Sequence, residues 1–576
     1  MYRIILFIVL CQVHDSLLFA QRITNPHGIE NTGTTPRYDD VRRFYEELAN
    51  RHTTVQVHTA GPTDTDDSLL VVYYSSDSKF DVPGWKKQDK LIIFINNGIH
   101  PGEPDGIIAS MQLLWDITQQ KIRLPDNVVL AIIPVFNISG ARSLRQYTRA
   151  NQNGPAITGF RGNAQNLDLN RDFVKMDARE TRSIVRLFHS LDPDVLVDNH
   201  VSNGADYQHV MTLLSTQCNK LGGPMGDYLN KTFEPALYDD MKQRGFDLLP
   251  YVNVWGTVPD NGWDAFMEIP RFFSGFAAMF HTYAFVAETH MLKPFPVRVK
   301  STYELMLSII EHTSANAATI RTTRQQQKQW VAGSAELAID WGVDTTQPTN
   351  IELKGYEAGY KSSDISGQPR LFYDRSKPFI NKIPFYNTCT TKRKTDVPQA
   401  YIIPQGWNKV VSRLKANSVK MRKLKTDTTI ELTVYYITDY KTTPNPYEGH
   451  YLHSGVEVER QKKQVQLKKG DYYIPVNQAA KRYLVETLEP TAPDAFFAWG
   501  FFDAVLQQKE YYSDYAFEDL AVELLAKDKS LRNKLEQRKA ADPIFAKDGK
   551  AQLHFVFQNS LYHEPEHMRY PVYRLE

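Results

Sequence analysis

Along residues 38–299 short apolar runs alternate with stretches in which apolar residues recur at three and four positions. That rhythm is the one a βαβ chain needs to build a largely parallel or mixed sheet covered by helices. Residues 69–74, 91–95, 128–135, 195–197, 209–214 and 283–287 read as strands, most of them β-branched or aromatic and buried in character. Between them 103–118, 178–191 and 223–244 read as amphipathic helices, and 302–324 as a helix that closes the unit. Beyond Trp330 the texture changes: Tyr, Thr and Lys become frequent, and short alternating strands are predicted at 429–437, 456–467 and 472–475. Helical patterns at 478–488 and 516–534 follow, so the second half is strand-rich but not purely β.

Length sharpens this division, because 576 residues exceed what one hydrophobic core supports. The expected organisation is a leader over 1–20, an α/β unit over 21–330, and a strand-rich region with helices over 331–576 that divides into as many as two subdomains. The leader is read from the cationic start Met1-Tyr2-Arg3, the apolar run from Ile4 to Leu10, and Ala20 before the cut, and it predicts a secreted or periplasmic protein. No later run is long and apolar enough to span a membrane. The formal charge of +1 offers no general attraction for a polyanion, so nucleic acid is not an expected partner. Of three cysteines, Cys11 falls in the leader, and a bridge between Cys218 and Cys389 stays open.

Candidate chemistry sits where strands end. The run 91–95 leads into Asn96-Asn97-Gly98-Ile99-His100-Pro101-Gly102-Glu103, at the sheet edge where open α/β folds bind ligands. An imidazole and a carboxylate three apart on a Pro-Gly turn can aim at one point and suit Zn²⁺, although a Glu in a first helical turn is also favoured by the helix dipole alone. A third ligand should come from another strand, and His200, after the run 195–197 and beside an acid, supplies it. Between these lies a long polar stretch holding Arg142, Arg145, Arg149, Arg161, Asp168, Asn170 and Arg171. Arg171 could fork onto an anionic end group while Arg161 steadies a developing oxyanion; Arg142 and Arg145 read instead as solvated cations in surface ion pairs. Glu288, closing the apolar run 283–287, is a candidate general base, with His290 two residues on as a rival metal ligand.

In this order, His100-x-x-Glu103, Asp168-Leu169-Asn170-Arg171, His200 behind a strand and Glu288 resemble the zinc metallocarboxypeptidase (funnelin) family over residues 38–324. The similarity is to a secreted, bacterial-type member with a C-terminal extension. It implies a mixed, mostly parallel eight-stranded sheet flanked by helices, followed by a strand-rich α+β domain lying outside the family's catalytic unit. It also implies one Zn²⁺ per chain on His100, Glu103 and His200, with Glu288 as general base and Asp168 orienting His100. Arg161 would polarise the scissile carbonyl, Arg149 being the second choice, and Asn170 and Arg171 would clamp a terminal carboxylate. The implied partner is a peptide with a free C-terminal carboxylate. The substrate-covering tyrosine of that family has no counterpart in 270–276, where phenylalanines stand, and Arg271 there is either a contact for an acidic substrate or a structural ion pair. Two other readings compete: a different zinc amidohydrolase, acting on peptidoglycan peptides or N-acyl groups, and a non-catalytic peptide- or glycan-binding protein.

Overall fold

The computed structural model describes residues 24–576, so the expected leader and Cys11 lie outside the described residues. After helix α1 (Tyr38–Arg51), strands β1 (Val55–Pro62) and β2 (Ser68–Tyr74) form an antiparallel pair. Then come β3 (Leu91–Asn96), α2 (Asp105–Thr118), β4 (Val128–Ile133), α3 (Arg179–Leu191), β5 (Val195–Ser202), β6 (Met211–Ser215), α4 (Glu234–Gln243), β7 (Leu249–Pro250) and β8 (Tyr283–His290). They assemble into one mixed sheet in the order β1-β2-β4-β3-β5-β8-β6-β7. Its centre, β4-β3-β5-β8, is parallel throughout.

These central strands are unbroken apolar runs because both faces are covered. Ile92 and Phe94 of β3 point into a cluster with Ile184, Phe188 and Phe276 on the α3 side. Leu91, Ile93 and Ile95 point into the opposite cluster, with Phe44 of α1, Leu113 of α2 and Ile309 of α5 (Phe295–Ala315). The first cluster does not stop at residue 330. It continues through Tyr483, Leu484, Trp499, Phe502 and Tyr570, so the C-terminal region shares a core with the α/β unit.

Following α6 (Ala317–Gly333), β9 (Glu336–Val343) pairs with β12 (Cys389–Asp396), and β10 (Thr349–Ser362) with β11 (Pro369–Tyr386) forms a long hairpin. A six-stranded sheet completes the chain. It contains β13 (Ala400–Ile403), β14 (Thr428–Thr442), β15 (His453–Leu467), β16 (Tyr472–Pro475) and β17 (Arg569–Leu575), with the short strand Arg422–Lys423 at one edge. The chain's last strand, β17, lies between β13 and β14.

Several expected elements differ in extent. The helix expected at 223–244 is continuous, with a π-helical turn over Leu229–Phe233 between Gly223–Tyr228 and α4. The helix at 302–324 starts earlier, at Phe295 behind Pro294, and breaks at Asn316 into α5 and α6. The pattern at 516–534 divides at Asp528, whose carboxylate accepts from the Ser530 and Leu531 N–H groups and so caps a second helix. The hairpin β10–β11 was not expected, because Pro369, Pro378 and Pro384 within β11 demote a strand reading. Cys218 and Cys389 are both free thiols.

Candidate functional site

β5 and β8 run further than their apolar cores, so His200 and Glu288 lie inside strands and not past their ends. The two residues are register partners across the parallel pair, which turns both side chains to one face of the sheet. Asp198, two residues before His200, shares that face and accepts from His200 Nε2 at 3.0 Å, and it is held in turn by Asn96 Nδ2 at 2.8 Å. Asn199 points the other way, against Asn97 and α2, where a Cβ on Gly106 would collide with it. His100 and Glu103 arrive from the turn after β3, closed by the Glu103 N–H donating to the His100 carbonyl at 2.9 Å.

The structure brings His100, Glu103 and His200 together as a buried group able to hold a metal ion. His100 Nδ1 and His200 Nδ1 are 3.2 Å apart, and the Glu103 carboxylate is 3.3 Å from the first and 3.1 Å from the second. A tetrahedron with centre-to-vertex lengths of about 2.0–2.1 Å has edges of roughly 3.3–3.4 Å, so this donor set fits a four-coordinate ion such as Zn²⁺ with one vertex left over. The far nitrogens are already committed, His100 Nε2 to Asp168 at 2.9 Å and His200 Nε2 to Asp198, which fixes which nitrogen each ring presents.

Asp168 belongs to a second built segment. Its carboxylate also caps the short turn Leu169–Arg171 by accepting from the Asn170 N–H. Phe173 stacks on Phe273 at 4.3 Å, and the Phe273 N–H donates to Asn170 Oδ1 at 3.0 Å, so the turn is pinned beside the helix that precedes β8. Burial pushes the Asp168 carboxyl up, but His100, Arg161 and Arg171 outweigh it and hold the group well below the usual carboxylate range. Glu103 shows the same balance: burial opposes ionisation, while His100 and Arg149 with hydrogen bonds from both histidines bring it well below its ordinary value. For His200, burial favours the neutral ring, and Asp198 with Glu103 overcomes it and raises the ring's pKa well above its ordinary value. Glu288 goes the other way. Burial, reinforced by Glu103 and opposed by His200, pushes it up to about 7.

His100, Glu103, Arg149, Arg161, Asn170, Arg171, His200 and Glu288 all line one cavity of about 550 Å³. Arg149 donates to Glu103 at 2.6 Å and to the Val201 carbonyl at 2.9 Å. Arg161 reaches Asp168 at 2.8 Å and Glu103 at 3.3 Å, with a side chain 45% exposed against 16% for Arg149. Arg161 is thus the arginine more open to an incoming group. Four other candidates lie elsewhere. Both ring nitrogens of His290 are engaged, with the Ala205 carbonyl at 2.8 Å and the Leu292 N–H at 3.1 Å, so it is no ligand of this group. Arg142 pairs with Asp39 and Asp67 at the surface, and Arg145 lies over Phe160. Arg271 is consumed by buried Asp494 at 2.7 Å, which makes it a structural ion pair and not a substrate contact.

No family model matches the chain. Carboxypeptidase 2 of Trichophyton equinum is 22% identical over 509 residues, covering 84% of this chain and 88% of its own length. Carboxypeptidase 2 of Trichophyton rubrum is 22% identical over 493 residues, with 82% and 85% covered. The chain is thus similar to carboxypeptidases over most of its length. Among solved structures, carboxypeptidase A of Helicoverpa armigera aligns at 15% identity and a TM-score of 0.37, over 50% of this chain and 74% of that one.

Similarity over 84% of the chain is more than residues 1–330 can supply, so it extends into the C-terminal region. In the structure this C-terminal region reaches the site. Tyr447 OH accepts from Arg171 Nε at 3.0 Å, and the Glu448 carboxylate accepts from the Asp168 N–H at 2.7 Å. Sequence reasoning missed both, since partners 276 and 280 residues apart leave no local signal. It also missed Tyr251 and Trp255, which line the cavity from the segment after β7. Burial raises the Tyr251 phenol, with Glu288 and Glu103 adding to it, so the hydroxyl stays protonated and can donate. Of the phenylalanines in 270–276, Phe272 lines the cavity, and its ring carries the Arg171 guanidinium at 4.4 Å.

Proposed function

We propose that the protein is a zinc-dependent carboxypeptidase that hydrolyses the C-terminal peptide bond of peptides, and that it is exported, as the leader-like residues 1–20 suggest. The observation that carries this reading is the near-tetrahedral spacing of His100 Nδ1, His200 Nδ1 and the Glu103 carboxylate in a cavity that also holds Arg171 and Glu288. A divalent zinc ion held there would supply Lewis acidity toward water and the scissile carbonyl.

The chain's own residues do the rest. Arg171 and Asn170 bind the substrate's terminal carboxylate; Asn170 Oδ1 is occupied by the Phe273 N–H, and its amide nitrogen lies 3.4 Å from His200 Nε2. Arg161, with Arg149 behind it, donates N–H groups to the oxygen that gains negative charge as water adds to the carbonyl carbon. Glu288 accepts a proton from that water, and its raised pKa then lets it hand the proton to the departing nitrogen as the C–N bond breaks. The products are a shortened peptide acid and the free C-terminal amino acid. Asp168 and Asp198 hold the ring nitrogens of His100 and His200, keeping the other nitrogen of each free for the ion.

Metal analysis combined with mass spectrometry of peptide digests tests this reading. We expect about one zinc per chain, loss of single residues from free-carboxylate peptides, and abolition of that loss by a chelator. Equal cleavage of free and C-amidated peptides would remove the carboxylate clamp. Cleavage that persists in zinc-free protein would remove the metal.

A further inference from the structure

The hairpin strands β14 and β15 end at Thr442 and resume at His453, and the chain between them folds back on itself at a second, tight turn. Tyr447 N–H donates to the His450 carbonyl at 2.7 Å and His450 N–H to the Tyr447 carbonyl at 3.0 Å. Glu448 and Gly449, the two central residues, have φ of 51° and 81°, the left-handed pair that a two-residue turn of this kind requires. Glycine takes that conformation freely. Glutamate does not, and a non-glycine residue persists there where its surroundings hold it.

What holds it is the segment that carries the candidate substrate-binding residues. Glu448 accepts from the Asp168 N–H, Tyr447 OH accepts from Arg171 Nε, and His450 Nε2 donates to Asp177 at 2.7 Å. The turn is supported from behind as well. The Arg271 guanidinium lies over Tyr447 at 5.5 Å and over Trp499 at 4.8 Å while it pairs with Asp494. A guanidinium has five N–H donors in a rigid plane. In Arg171, Nε is taken by Tyr447 and one hydrogen of Nη1 by the Asn170 carbonyl at 2.9 Å, with Phe272 against one face. The remaining donors are then confined to one edge of a fixed plane. Neither Tyr447 nor Glu448 is among the residues lining the cavity.

We propose that the Tyr447–His450 turn is a positioning device for substrate recognition: Tyr447 sets the plane of the Arg171 guanidinium and Glu448 sets the main chain at Asp168. The C-terminal region thereby determines how tightly a terminal carboxylate is held, without touching it. This rests on the reading of Arg171 as the carboxylate-binding residue. Tyr447 and Glu448 are positioning residues and not catalytic ones.

The test is steady-state kinetics on a free-carboxylate peptide and its C-amidated counterpart, with melting temperatures measured in parallel. Tyr447→Phe removes one hydroxyl. It is expected to raise KM for the free-carboxylate peptide about tenfold, to leave kcat within about twofold, and to narrow the preference over the amide, since a hydrogen bond to a charged group is lost. Glu448→Ala should do the same, and Glu448→Gln, which keeps an acceptor for the Asp168 N–H, should restore KM. Unchanged KM and preference in Tyr447→Phe, while Arg171→Ala loses both, overturns the positioning role and leaves the carboxylate reading intact. A fall in kcat and melting temperature with no KM effect also overturns it, by assigning the turn to stability alone. If Arg171→Ala itself leaves KM and preference unchanged, or the wild-type protein cleaves neither peptide, the underlying reading fails and this inference with it.

Discussion

The α/β unit and the C-terminal region meet at one cavity but contribute to it by different means. The candidate ligand triangle hangs on β3, β5 and the turn after β3, strands buried on both faces, where covalent spacing and sheet register locate each side chain. The residues that contact Arg171 and Asp168 come from a turn beyond β14, a strand with six of its fifteen residues exposed, and they arrive only through tertiary contact. The contrast teaches that the two demands of such a site, holding an ion and orienting a substrate, can be met by parts of unequal rigidity. An ion-binding triangle tolerates little displacement, because each donor must reach one point within tenths of an ångström. A carboxylate-binding arginine sits on a long flexible stem and needs outside support to hold one orientation.

Perturbing each part separately should divide the effects accordingly. The largest is expected for Glu288→Gln in the α/β unit: kcat falls by about 10²–10⁴-fold, with zinc content and melting temperature retained, as metal analysis and calorimetry would show. On the proposed mechanism the same carboxyl should set the acid limb of kcat/KM. It works as a base only when ionised, so activity falls as pH drops through its pKa. A bound dication lowers that value from the metal-free level of about 7, so the limb belongs below pH 7, and an acid limb above it would exclude Glu288.

Next in size, Asp198→Asn should weaken zinc affinity by about 10–100-fold in competition with a chelator, since the His200 ring loses the carboxylate that orients it. Affinity unchanged by this variant would mean that the strand alone orients the ring. The smallest effect lies at the seam. Asp177 joins Arg413 at 3.1 Å and His450 at 2.7 Å across the two regions, and although burial opposes ionisation, the His450 hydrogen bond and the Lys175 charge lower its pKa to about 2. A carboxyl whose folded pKa is depressed stabilises the fold above its unfolded pKa, near 4. That contribution is lost as pH falls from about 4 to about 2. Asp177→Asn should therefore cost about 1–2 kcal/mol at neutral pH by denaturant melts, and the difference from wild type should vanish near pH 2. A pH-independent difference would assign the loss to packing.

Much of the sheet was legible because buried parallel strands leave continuous apolar runs, as at Leu91–Asn96 and Val128–Ile133. The ends were less so: β5 and β8 continue through Asp198, Asn199, His200 and Glu288, polar residues that local propensity reads as the end of a strand but that the sheet keeps paired. β1 and the hairpin β10–β11 escaped because half-exposed strands mix polar and apolar residues, and proline in β11 argues against pairing. Tyr251, in a segment with little regular structure, has no pattern at all to mark it.

By itself, then, the sequence determined the alternation of strand and helix, the His-x-x-Glu turn after a buried strand, and the polar run that holds Asp168, Asn170 and Arg171, because each depends on neighbours within a few residues. Only the tertiary structure decided that Arg271 is spent on Asp494 and that a turn near residue 448 closes on a motif some 280 residues earlier. The physical reason is that such contacts are chosen by how a shared core packs Phe173, Phe273, Tyr483 and Trp499 together, and core packing is a property of the whole chain and not of any window along it.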